Sequence, residues 1–247
     1  MELNGAKILY TIHTDIPLLG DFKITQTLVM SWLVMALLSG LAFWLTRDLK
    51  VDNISKRQVV AEFLVETLDN FVHGTMGTHF DQYIPLVGTI FALSVTSNLI
   101  SVLGFWSPTA DLNTELAWAV VVFILITYHK LKANGLGGYL KGYLDPIFLM
   151  APINVISELA TPVSMACRHF GNILSGTVIS TLLYWALASL SHVVFGWLPG
   201  ALSQIQLFQI GLPALTGLYF DWFGGCIQAF IFCTLTTIFI KQAAGED

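Results

Sequence analysis

Residues 24–46 read ITQTLVMSWLVMALLSGLAFWLT, a run from Ile24 to Thr46 with no Asp, Glu, Lys or Arg. A helix needs about 20 mostly apolar residues to cross a bilayer, so this run predicts a membrane span. The same signal recurs along the chain. Residues 82–106 are again free of charge and predict a second span. Asp111, Asn113 and Glu115 then open a third, over 114–131. From Gly142 to Ile240 the only Asp, Glu, Lys or Arg residues are Asp145, Glu158, Arg168 and Asp221. Two apolar blocks fill that region, 146–192 and 205–240, with Pro199, Gly200 and Ser203 at the break. Each block exceeds what a perpendicular span requires. Steep tilt absorbs the excess, and two short helices packed as a hairpin in each block is the alternative.

Composition agrees. Of 247 residues 55% are hydrophobic and 11% charged, and the mean hydropathy is +0.72. A water-facing domain carries about 25% charged residues. The net charge of -5 gives no sign of a nucleic-acid partner. The expected architecture is a single all-α integral membrane domain over residues 1–247, with about five transmembrane helices. An amphipathic surface helix is expected over 55–77, where Val59, Val60, Phe63, Leu64, Thr67 and Phe71 recur at helical spacing among charged residues. The basic, glycine-rich tract Lys130–Lys141 predicts a connecting loop. The N-terminus, with Glu2, Lys7, Asp15 and Asp21 among short apolar pieces, does not have the pattern of a cleavable signal.

Arg47, Lys50, Lys56 and Arg57 follow the first span, Lys130, Lys132 and Lys141 the third, and Lys241 the last. With five spans these basic segments share one side, which the positive-inside rule makes cytoplasmic. The N-terminus is then outside and the C-terminus inside. Lys7 and Lys23 dissent.

Cys167, Cys226 and Cys233 lie in apolar runs without metal or disulfide spacing. The six histidines show no metal motif, and His169 is read as a packing or gating residue. No cofactor is expected. Arg168 is different. An arginine at mid-bilayer costs about 2.5–3.5 kcal/mol on insertion scales, and it stays charged when desolvated. Two readings stand: a functional cation, or a structural ion pair with Glu158 or Asp221. At 100° per residue, Ser164, Asn172 and Ser175 share its helical face, and such a polar stripe can hold water. Asp221 and Gln228 are two turns apart on one face of the last helix. Gly224 and Gly225 between them are read as a close helix contact.

Three stretches carry a family resemblance. Pro162-Val-Ser-Met-Ala-Cys-Arg-His-Phe-Gly-Asn172, Ser107-Pro-Thr-Ala-Asp-Leu-Asn-Thr114 and Gln228-Ala-Phe-Ile-Phe232 are similar to motifs of the a subunits of F-type ATP synthases. The resemblance covers roughly residues 85–240. It implies a non-catalytic bacterial plasma-membrane subunit that carries H⁺ or Na⁺ through two offset aqueous half-channels. Its partners would be a ring of c subunits and the peripheral-stalk b subunits. The last two helices would form a long, strongly tilted hairpin against that ring. Arg168 becomes the essential arginine facing the ring carboxylates, and Asn172 and Gln228 its polar companions. Asp111 and Asn113 line the outer entrance, and Ser164, Ser175, Thr177 and Glu158 line the ion path. The chain also departs from the pattern. Thr177 stands where many members have glutamate, Asp221 where many bacterial members have histidine, and Ser101 where the family has aspartate. Asp221 is therefore expected to titrate in the outer half-channel.

Two other functions are weaker. A self-contained secondary transporter usually shows internal repeats, and none is evident. An intramembrane hydrolase needs a nucleophile or metal motif, which Ser175-Gly176 does not supply.

Overall fold

The computed structural model describes residues 6–13, 21–145, 147–197, 208 and 212–245. Five of its helices are long and apolar enough to cross a membrane. The chain is an all-α integral membrane protein with one small addition. Ile8–Ile12 (β1) and Phe22–Thr25 (β2) form an antiparallel pair, with Tyr10 opposite Ile24 and Ile12 opposite Phe22. β-Branched and aromatic residues in both segments favour the extended state. The charge-free run that predicts the first span begins at Ile24. The helix α1 instead covers Gln26–Thr46, with the Thr25 hydroxyl accepting from the Leu28 amide at 3.4 Å.

Helix α2 spans Lys56–Met76, opened by a Ser55 cap and closed by Gly77 at φ 95. Only a glycine takes that dihedral cheaply. The first part of its apolar stripe is outward, with Phe63 65% exposed, while Phe71 at the far end packs against the core. At its end His73 lies 3.3 Å from Asp69 and 2.6 Å from Asp81. The hydrogen bond to Asp81 is the main cause of a raised His73 pKa, and it ties α2 to the start of α3.

Helix α3 covers Ile84–Val102, with Pro85 in its first turn. Helix α4 covers Leu112–Gly142 and so contains the expected 114–131 span, while the tract Lys130–Lys141, expected as a loop, is helical on both sides of a kink. Helical hydrogen bonding runs into the glycine-rich tract and breaks at one point, Gly135, with φ 66 and ψ 170. The turn signal there was real but acts as a kink. Helix α5 is unbroken over Ala151–Phe195, so within this block the hairpin alternative fails. Its 45 residues extend about 68 Å at 1.5 Å per residue. A hydrocarbon layer of about 30 Å holds such a rod only if it runs very obliquely or leaves the layer at an end. Pro162 sits inside it and has no N–H for the Glu158 carbonyl.

The last rod comprises α6 (Leu212–Gly217), a π-helical segment (Leu218–Gly224) and α7 (Gly225–Ala244). Pro199, Gly200 and Ser203, and the first part of the 205–240 block apart from residue 208, lie outside the described residues. The core lies where α2, α3, α4, α5 and α7 meet, around Val72, Val87, Val122, Met165, Phe232 and Ile240. Helix α1 leans on α2 and α3 at the edge.

Candidate functional site

Arg168 projects from the exposed side of α5. Among the described residues no carboxylate lies within ion-pairing distance of it. Glu158, the partner one reading offered, is taken by Lys130: Nζ donates to Oε1 at 2.9 Å, and the Tyr139 hydroxyl donates to the same oxygen at 3.2 Å. The second candidate, Asp221, has a backbone in the π segment, but its side chain lies outside what is described.

Two adjoining cavities connect these groups. The larger, about 490 Å³, is lined by Lys130, Tyr139, Tyr143, Asn154 and Glu158 among others. The smaller, about 280 Å³, is lined by Ser164, Met165, Arg168 and Leu235 among others. They share Ser157, Thr161 and Phe239. Hydroxyls at 157, 161 and 164 therefore step along α5 from the Lys130–Glu158 pair to Arg168. Ser157 and Thr161 were not picked from the sequence. Their i, i+4 spacing below Arg168 was a signal available to do so.

On its other flank α5 meets the last rod closely. A Cβ on Gly176 would lie 2.9 Å from Phe220 Cβ, and one on Gly224 would lie 3.3 Å from Asn172 Nδ2. A Cβ on Gly225 would fall 2.7–2.8 Å from Nδ2, Cβ and Cγ of Asn98 on α3. The glycines are thus a backbone contact, as the small-residue pattern predicted. Asn98 Oδ1 accepts from Thr109 Oγ1 at 2.7 Å, while Nδ2 of both Asn98 and Asn172 is buried without a partner among the described residues. Gln228 is buried one turn beyond Gly224 and Gly225. The structure therefore brings Asn172 to Gly224 and Asn98 to Gly225. The i→i+5 bonding of the π segment alters the azimuth between Asp221 and Gln228 from the two-turn alignment assumed for a regular helix.

Asp111 and Asn113 form a local unit. Asp111 Oδ1 accepts from the Asn113 amide and from Nδ2, each at 3.0 Å, and caps α4. Ser175 and Thr177 are exposed and donate back to the carbonyls of Asn172 and Ile173 at 3.0 Å.

One histidine, read from the sequence as a packing or gating residue, has a buried carboxylate neighbour. His169 Nδ1 lies 2.9 Å from Glu115 Oε2, and both side chains are 0% exposed. The two atoms are at ion-pairing distance without the alignment of a full hydrogen bond, and Glu115 Oε1 has no partner among the described residues. His169 Nε2 lies 3.2 Å from Ser94 Oγ on α3. Glu115 was noted only as opening a span, although a carboxylate in the first turn of an apolar helix is itself a signal. Among the described residues no cluster of three or more His, Cys, Asp or Glu side chains could hold a metal.

The fold and site together define a multi-pass helical membrane protein with an exposed arginine that has no carboxylate partner among the described residues. The sequence model of the ATP synthase A chain family matches residues 28–241, and the chain belongs to that family. It is 34% identical to ATP synthase subunit a of Desulforamulus reducens over 90% of this chain and 80% of the relative. With ATP synthase subunit a 1 of Chlorobaculum parvum it shares 35%, over 91% and 90%. It is 30% identical to the sodium ion specific ATP synthase subunit a of Propionigenium modestum, over 91% and 76%.

Proposed function

We propose that this chain is the ion-translocating stator subunit of an F-type ATP synthase in a bacterial plasma membrane. It works with a c-subunit ring and with peripheral-stalk b subunits. It has no catalytic chemistry of its own. Arg168 displaces H⁺ or Na⁺ from each passing ring carboxylate, because a guanidinium keeps its charge in a low dielectric. Helix α5 and the last rod form the tilted hairpin that faces the ring. The observation that carries the reading is Arg168, free of any described carboxylate partner, at the end of the joined cavities. Those cavities form the cytoplasmic half-channel, with Glu158 and Lys130 at its mouth, and Asp111 and Asn113 mark the outer entrance.

The test is sidedness. Single cysteines at Ser157, Thr161 and Ser164, in a chain with Cys167, Cys226 and Cys233 replaced, are expected to react with a membrane-impermeant thiol reagent from the cytoplasmic side. Cysteines at Ala110 and Asn113 are expected to react from outside. Opposite sidedness, or no reaction at the three α5 positions, overturns the assignment.

Asp221 is proposed to titrate in the outer half-channel in place of the glutamate that Thr177 lacks. Asp221→Asn is expected to slow transport several-fold without uncoupling it, and Asp221→Glu or Asp221→His to restore part of the rate. A normal rate for Asp221→Asn across the whole pH range makes this carboxylate structural.

A further inference from the structure

We propose that the buried Glu115–His169 pair is a proton-holding station between the outer entrance and Arg168. The inference rests on the transport reading above and names H⁺ as the species the pair carries. Burial is the first argument. A carboxylate with 0% exposure is expensive unless it is paired or protonated, and replacing a buried pair by apolar groups is often neutral or stabilising. Packing alone gives no reason to keep these two groups. Position is the second argument. Glu115 lies one helical turn from Asp111, which caps α4 at the proposed outer entrance. His169 directly follows Arg168. The pair thus stands, along the chain, one turn from the entrance carboxylate on α4 and next to the cation on α5, with His169 turned into the core where Arg168 is exposed.

The surroundings suit a proton better than a metal ion. Around the pair the packed helices present Ser94 from α3, Trp118 from α4 and Phe232 from α7. Along the chain the neighbouring ionisable groups are Asp111 and Arg168. A sodium ion needs several oxygens, and the site offers a carboxylate and one hydroxyl against an imidazole. In the tautomer that carries its proton on Nε2, Ser94 Oγ accepts from that N–H, and Nδ1 is left to exchange a proton with Glu115.

The balance is simple. With one mobile proton, on Nδ1 or on Oε2, the pair is net neutral. Passing that proton to the ring carboxylate near Arg168 breaks one N–H or O–H bond and makes one O–H bond there. A carboxylate and a neutral imidazole remain, with a net charge of −1 beside the fixed guanidinium. The next proton from the Asp111 end restores the pair.

The experiment uses the whole complex in liposomes, with ATP-driven proton uptake measured from acid to alkaline pH and scaled to the amount of assembled complex. Glu115→Gln and His169→Asn keep hydrogen-bonding shape but cannot titrate in this range. Each is expected to lower the rate at least tenfold at equal assembly, and Glu115→Asp to recover part of it with a shifted pH profile. If Glu115→Gln assembles poorly, the comparison of Glu115→Asp with the unaltered complex still decides, because a merely structural carboxylate leaves the pH profile in place. A normal rate and profile for Glu115→Gln overturns the proposal. An unshifted profile for Glu115→Asp does so too, as does a complex that pumps Na⁺ without moving protons. If Arg168→Ala stops pumping while Glu115→Gln does not, only the pair is refuted. If Arg168→Ala pumps normally, the transport reading beneath it fails.

Discussion

Arg168→Ala is expected to abolish ATP-driven ion pumping, by at least about 100-fold, while the complex still assembles. The loss follows from chemistry. A permanent cation lowers the affinity of a passing carboxylate for its ion, and alanine cannot. Retained assembly follows from the structure, because Arg168 is exposed on α5 and pairs with no described carboxylate. Removing it leaves no buried charge stranded, the usual reason such deletions destabilise a protein. Ions are also expected to leak past the ring once the fixed charge is gone. Arg168→Lys is expected to fail as well, since an ammonium lacks the fork geometry and loses its proton when desolvated. The measurement is ion uptake into vesicles against the quantity of complex recovered. Near-normal coupled pumping by Arg168→Ala sinks the functional reading.

The second large effect is on packing. Gly225→Ala is expected to cost about 1–3 kcal/mol, the usual range for overpacking a tight contact, and Gly225→Val more. The new Cβ would meet Asn98 at 2.7–2.8 Å. Two of the atoms it meets, Cβ and Cγ, are not at a flexible end, and Asn98 is held by its hydrogen bond to Thr109. Asn98 therefore cannot swing aside. Helices α3 and α7 would separate, and Gln228, one turn along, would shift with them. The readout is the thermal stability of the purified complex and the amount of this chain retained in it. Asn98→Gly, which removes the Cβ as well as the amide, combined with Gly225→Ala should recover stability lost to the clash. Unchanged stability for Gly225→Val would show that the helices do not approach this closely.

The sequence by itself determined the fold class and singled out Arg168 as the candidate cation. Charge-free runs such as 24–46 and 82–106 admit one physical solution, because every backbone polar group in lipid must be satisfied within a helix. Arg168 was legible because a permanent charge inside such a run stands against a cost of several kcal/mol. The close glycine contact was legible too, since two adjacent glycines in a membrane helix have few other uses.

Other features were decided by tertiary structure. The tract Lys130–Lys141 has the composition of a loop, yet helical hydrogen bonding carries through most of it, and Tyr139 and Lys130 reach Glu158 on α5. The ambiguity in 146–192 was between one tilted rod and two short helices. Pro162 permits either, and α5 runs through it. Glu158 looked like a partner for Arg168 by spacing alone, but Lys130 on another helix claims it. Glu115 and His169 are far apart in the chain, and each alone has an ordinary explanation, a first-turn acid and a packing histidine. Only the crossing of α4 over α5, with α3 supplying Ser94, puts Nδ1 2.9 Å from Oε2 in a fully buried setting. Periodicity fixes which face of a helix a residue occupies, but the residue opposite it is set by how the helices pack.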